Sequence, residues 1–299
     1  MKEEREKRQD ITLLSTKAID SHYLLNLPNV QWARIALNKT IIATENKAWL
    51  YQPHSIKDSF AQPMEGTGSI TTTKNLLDGA IAAAEYIAES KIKPQKLTPI
   101  GWVRQLAEAY HLSCLTPELI GEACIGFAVV GRWSLAEWAA YKAHKEEGYA
   151  RLALRDIQYM GYDAEAVVEE IVSPTAVALT DYLTRSVCDW NPIDCVGYCY
   201  TIERLTADFK EEYIDRVKAL LSPEINATRN MRVHDSASAN IEFVEMVAEL
   251  TASERTRVAI ACYETASIYF SQSIEDCVSD EELQQILEPL RIVVTPDIS

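Results

Sequence analysis

A chain of 299 residues with 44 acidic against 29 basic side chains carries a formal charge of −15. That charge repels phosphate backbones and anionic lipid, which excludes nucleic acid and membrane surfaces as expected partners. A hydrophobic content of 47% is ample for the core of one large domain or two small ones.

The N-terminal stretch MKEEREKRQDITLLSTKAID has no apolar segment of signal-peptide length, and no later run is long enough for a membrane span. A cytoplasmic location is therefore expected. Seven cysteines without a C-x-x-C pair read as reduced thiols, several of them packed in the core. Residues 1–26 begin highly charged, and Ile11-Thr12-Leu13-Leu14 predicts a short helix. From Trp32 to Tyr51, β-branched and aromatic residues punctuated by Asn38-Lys39 and Glu45-Asn46-Lys47 predict two or three short strands, confined to 30–52. Pro53, Pro63, Gly66, Gly68 and the threonine run at 71–73 predict a connecting loop over 52–74.

Beyond Lys74 the pattern is helical almost throughout. The fold class expected is all-α, with residues 1–74 as an N-terminal extension and 75–299 as a helical domain. One helix covers NLLDGAIAAAEYIAESKI and ends before Pro94, a second covers Ile100 to Leu112, and a third starts at Thr116-Pro117-Glu118. The third is nearly all apolar, which makes Glu122 a candidate buried carboxylate.

The stretch from Trp133 to Tyr162 reads as one long central helix. Ser134 and Glu137 form a capping box at its start, and Gly161 stops it. Leu135, Trp138, Ala139, Lys142, Glu146, Tyr149, Ala153, Ile157 and Met160 recur at three- and four-residue steps on one face. Lys142, Glu146 and Tyr149 interrupt that apolar stripe, and a buried charge is costly unless paired. They mark a candidate pocket. An i,i+4 ion pair at the edge of a core would explain the same residues. After Asp163 the helix breaks at Pro174, and Asn191-Pro192 opens another that places Tyr198, Ile202 and Leu205 on one side, with Cys199 and Glu203 beside it. Further helices are expected at 210–221, 230–250 and 252–276.

Histidine occurs only at 22, 54, 111, 144 and 234, so a His-rich metal site has few ways to form. His144 and Glu137 share a helical face, but Tyr141, Lys145, Arg151 and Arg155 lie on it too and predict that it meets solvent.

The central helix with its carboxylate, Asp156-Ile157 ahead of Met160-Gly161, the run GYCYTIE and then a His-bearing helix follow one another in an order that resembles the heme-oxygenase-like superfamily. That group includes thiaminase II, pyrroloquinoline quinone synthase, the Chlamydia protein associating with death domains, and diiron oxidases. The resemblance spans roughly residues 75–280 and implies a helical-bundle fold, a homodimer, and a small-molecule substrate. EEGYARLALRDIQYMGY is similar to the diiron group's Glu-x-x-His followed by LAL-x-DL. Glu146 matches the glutamate, and Tyr149 stands where the histidine is expected. Glu203 is similar to the glutamate of the GYxYxxE helix. The late His-x-x-x-Asp-x-x-His motif matches at His234 but meets Ser238 and Ile241. No six-ligand diiron centre is therefore expected. Glu146, Glu203 and His234, with Glu122 as a further candidate, would be left as ligands for a single iron. Metal-free oxidation by Lys142, Glu146, Tyr149 and Tyr198 as acid–base residues is the other version. A non-catalytic descendant that binds a ligand or protein partner is the alternative of a different class.

Overall fold

A computed structural model describes residues 12–15, 21–52, 59–66, 68–88, 98–207, 249–271 and 278–292. Four short strands, β1 (Thr12–Ser15), β2 (Gln31–Ala36), β3 (Lys39–Ala43) and β4 (Ala48–Gln52), form one sheet in the order β1-β4-β3-β2. β2, β3 and β4 make an antiparallel meander in which Trp32 faces Ile42 and Ile41 faces Leu50; β1 joins β4 in parallel. Side chains alternate across a strand. Ala33, Ile35, Ile41 and Leu50 accordingly enter the main core, while Ile42, Trp49 and Tyr51 pack with Phe60 and with Leu24 of α1 (Ser21–Leu25).

Thr12–Ser15 is a strand where the local pattern predicts a helix, and it lies outside the predicted strand span of 30–52. Its partner is β4, far along the chain, so the pairing that decides it is not visible locally. The predicted loop over 52–74 also ends early, because α2 (Ile70–Ala88) takes in the threonine run. The Ser69 hydroxyl accepts from the Thr72 N–H at 3.1 Å, and Thr73 bonds the Gln31 side chain on β2. Capping and burial here outweigh the modest helix propensity of threonine.

The helices that follow are α3 (Pro99–Cys114), α4 (Thr116–Val129), α5 (Trp133–Glu146), α6 (Tyr149–Tyr159), α7 (Ala164–Glu170), α8 (Pro174–Cys188), α9 (Asp194–Ala207), α10 (Ala252–Phe270) and α11 (Asp280–Leu287). Thr98 and Ser173 cap α3 and α8 ahead of a first-turn proline, and Thr251 with Glu254 forms a capping box on α10. α4 packs on α5, α10 packs on both α2 and α9, and α3 packs on α6. The stretch Pro99–Val129 is long and apolar enough to cross a membrane by composition. Here it is two helices, which bury Trp102, Val103 and Leu106 in one core and Ile120, Ala123 and Phe127 in another.

Two expectations about the central helix are corrected. It is broken: α5 ends at Glu146, and α6 begins at Tyr149 after Gly148, whose φ of 91° is left-handed. Glycine takes that conformation at little cost, and it resets the helical phase. The capping box is also absent. Gly131 turns the chain tightly out of α4, with the Arg132 N–H on the Phe127 carbonyl at 2.9 Å, so α5 starts at Trp133 and Ser134 lies inside its first turn.

Gly197 fixes how closely α9 meets α10. A Cβ there would lie 2.5 Å from the Val258 carbonyl oxygen and 2.6 Å from the Ala261 Cβ, inside contact distance of both. Only glycine lets the two backbones approach this far. The predicted helix over 210–221 and residues 230–248 of the one over 230–250 lie outside the described residues, as do His54, His234, Ser238 and Ile241, while residues 249 and 250 are not helical.

Candidate active site

A cavity of about 150 Å³ lies between α3, α5, α6 and α9. α5 contributes Lys142 and Glu146 one turn apart, on the face that also buries Leu135 and Ala139. α6 contributes Tyr149, its first residue, and α9 contributes Tyr198, Cys199, Ile202 and Glu203. Phase alone does not carry the α5 stripe past Gly148, yet Tyr149 still reaches the cavity because it stands directly after the turn.

The charged part is a three-residue cluster. The Lys142 ammonium bonds Glu146 on its own helix and Glu203 on α9. Lys142 is 3% exposed. Burial alone would push its pKa down, but the carboxylates of Glu203 and Glu146 outweigh burial and hold it well above the ordinary lysine value. It stays an ammonium at any physiological pH, which excludes it as an amine nucleophile.

The other polar groups are held neutral. Burial raises the pKa of the Tyr149 and Tyr198 phenols, with the Glu146 charge adding to the effect on both. Burial pushes the Cys199 thiol up to about 12, and the nearby Lys142 only partly offsets it. Such a thiol is not a reactive nucleophile. The cavity thus presents a fixed cation, phenol and thiol groups that keep their protons, and two carboxylates as its bases. Proton transfer under a fixed positive charge is the chemistry this set allows.

Lys142, Glu146, Tyr149, Tyr198 and Glu203 all line the cavity. Glu122 does not; it is exposed on α4. Glu137 is exposed, and His144, with a side chain 82% exposed, pairs with Glu147 at 3.4 Å. Asp156 is buried on α6 in the second core, its Oδ2 has no hydrogen-bond partner among the described residues, and burial pushes its pKa up to about 6. The sequence reading missed the α3–α4 wall. Ala109, Leu112, Ser113 and Thr116 follow one another at helical steps of three, one and three, and this stripe of small and polar residues was the available signal.

Iron is the metal that the sequence resemblance implies. Glu146 and Glu203 are both engaged by a buried ammonium, so a metal ion at that point would have to displace a tethered charge of its own sign. Among the described residues no group of three or more His, Cys, Asp or Glu side chains is gathered to hold a metal ion. The described residues do not fit an iron centre.

No protein-family model matches the chain, and no curated protein matches it by sequence. Among solved structures the chain is similar to a domain of unknown function with a heme oxygenase-like fold from Shewanella denitrificans, at 20% identity, over 72% of this chain and 88% of that one, with a TM-score of 0.43. Everything said of the site rests on the chain's own residues.

Proposed function

We propose that the chain is a small-molecule redox enzyme that works without a metal, holding an organic substrate in the cavity while dioxygen takes up its electrons. The observation that supports this reading is the Lys142 ammonium, buried between two carboxylates at the wall of a cavity. Glu203, with 24% of its side chain exposed against 11% for Glu146, is the more open carboxylate and takes the substrate proton. Lys142 faces the electron pair left on the substrate and stabilises it, a fixed charge that needs no reorganisation during the step. Two electrons then pass to dioxygen. With that proton and a second one released by the substrate, they leave as hydrogen peroxide. Tyr149 and Tyr198, held as phenols, orient substrate oxygen or nitrogen atoms.

The second reading is a binding module of the same fold. It is favoured by the same ion pairs, since both carboxylates already bond Lys142. One experiment separates the two. Protein freed of metal by chelation is incubated with a small-molecule extract, with and without oxygen, and the mixture is followed by mass spectrometry and a peroxide assay. The enzyme reading expects one compound to lose two hydrogens only when oxygen is present, with peroxide formed, and expects Glu203→Gln to abolish this. A compound retained unchanged on the protein supports the binding module. Activity that vanishes on chelation and returns with iron overturns the metal-free reading.

A further inference from the structure

Glu146 on α5 and Glu203 on α9 each turn an Oε1 atom toward one point, and that point holds the Lys142 Nζ. Carboxylate oxygens brought from facing elements onto one positive centre are how hard cations are held. The setting differs from that of Arg257, which also meets two carboxylates. Arg257 bonds Asp189 and Asp194 from a side chain that is 33% exposed, where water already screens the pair. Lys142 is sealed, reaches its partners through a single atom, and borders a void in which a cation and its remaining ligands could sit.

We infer that Lys142 is a tethered stand-in for a metal ion: its ammonium fills the cation position between Glu146 and Glu203 and keeps divalent cations out. Removing the side chain opens a divalent-metal site on those two carboxylates, completed by water in the cavity. A compact ammonium with three donors matches this position, whereas the planar fork of arginine requires carboxylates set side by side. This inference rests on the metal-free reading above, and its test tells the two apart.

Co(II) is titrated into the wild-type protein and into Lys142→Ala and Lys142→Ser, followed by calorimetry and visible absorption, with circular dichroism to report folding. Wild type is expected to give no saturable signal. Either variant is expected to bind about one Co(II) per chain, and binding is expected to disappear when Glu146→Gln or Glu203→Gln is added. A variant that folds only when Co(II) is present supports the inference equally. Folded variants that bind no Co(II), variants that stay unfolded in its presence, or binding that survives loss of both carboxylates overturn the inference alone. Tight, stoichiometric binding by wild type overturns the inference and the metal-free reading together.

Discussion

Two buried cations of this molecule, Arg255 and Lys142, do different work. Arg255 on α10 is 4% exposed and directs its donors to the Gln31 Oε1 at 3.1 Å, the Leu250 carbonyl at 2.6 Å and the Gly66 carbonyl at 2.8 Å. Gln31 continues the chain of bonds to Thr73 on α2. Arg255 therefore joins a strand, a helix and two loops, mostly through backbone groups. Lys142 is as deeply buried but bonds side chains, and a cavity lies beside it. Partners that are mostly backbone carbonyls mark a cation that holds segments together. Side-chain partners around a void mark one placed for chemistry. Burial alone does not tell them apart.

The largest expected effect falls on the first of the pair. Arg255→Met leaves three acceptors without their donors and should lower unfolding free energy by about 4 kcal/mol in a urea titration, with ligand binding in the surviving folded fraction unchanged. Arg255→Lys should rescue little, because one ammonium cannot reach all three acceptors. A small loss on Arg255→Met would remove the architectural half of the contrast.

Lys142→Met should cost somewhat less, about 3 kcal/mol at neutral pH, because the two carboxylates left behind are partly exposed and can turn toward water. Its pH dependence is the sharper readout. In the wild type the raised lysine pKa contributes stability in full below the ordinary value of 10.5, and that contribution fades only as pH rises beyond it. The variant lacks this contribution, so its stability should fall less steeply than that of the wild type as pH rises beyond that value. Equally steep declines in wild type and variant would mean that the two ion pairs do not hold Lys142 charged.

Asp156 supplies a buried charge of a third kind, whose burial the nearby Arg155 offsets only in part. Its folded pKa of about 6 lies above the ordinary 3.8. Stability from this group is fully present below the ordinary value and is lost as pH rises through the folded one. Asp156→Asn should therefore stabilise the protein at pH 7 by about 2 kcal/mol and flatten the wild-type decline between roughly pH 4 and 6. Unchanged slopes in that window would show the carboxylate to be better solvated than its burial suggests. The smallest effect is expected at Glu137, which is exposed and caps nothing: Glu137→Ala should stay within about 0.5 kcal/mol in a thermal melt.

What sequence could reveal here follows from how far apart the deciding partners lie. The cavity face of α5 is legible because Lys142 and Glu146 break an otherwise apolar stripe at a spacing of four, and such a stripe is a local property. The helix break at Gly148 is half legible. Glycine permits a left-handed turn, but it also sits inside many continuous helices, and only the packing of α6 on α3 makes the turn necessary. β1 is illegible, since four residues with weak preference become a strand only by lying beside β4. The capping box illustrates the opposite error. Ser134 and Glu137 have the right spacing, yet the tight turn at Gly131 makes Arg132 the N-cap, ahead of Ser134. The carboxylate of Glu203 could be placed on a face of α9, but its meeting with Lys142 depends on how two helices distant in sequence are docked.

The setting of α9 against α10 turns on Gly197. Because its backbone rests against Val258 and Ala261, α9 can neither roll nor slide on α10 without a collision. Six residues further on, about 9 Å along the axis at 1.5 Å per residue, stands Glu203. Gly197 thus serves the cavity as a reference stop serves a machined part, setting the angle at which a distant tool point arrives. A methyl group there would tilt the whole shaft, and the misalignment would grow with distance until it reached the carboxylate. The tolerance of the site to change is therefore narrowest at a position that touches none of its polar groups.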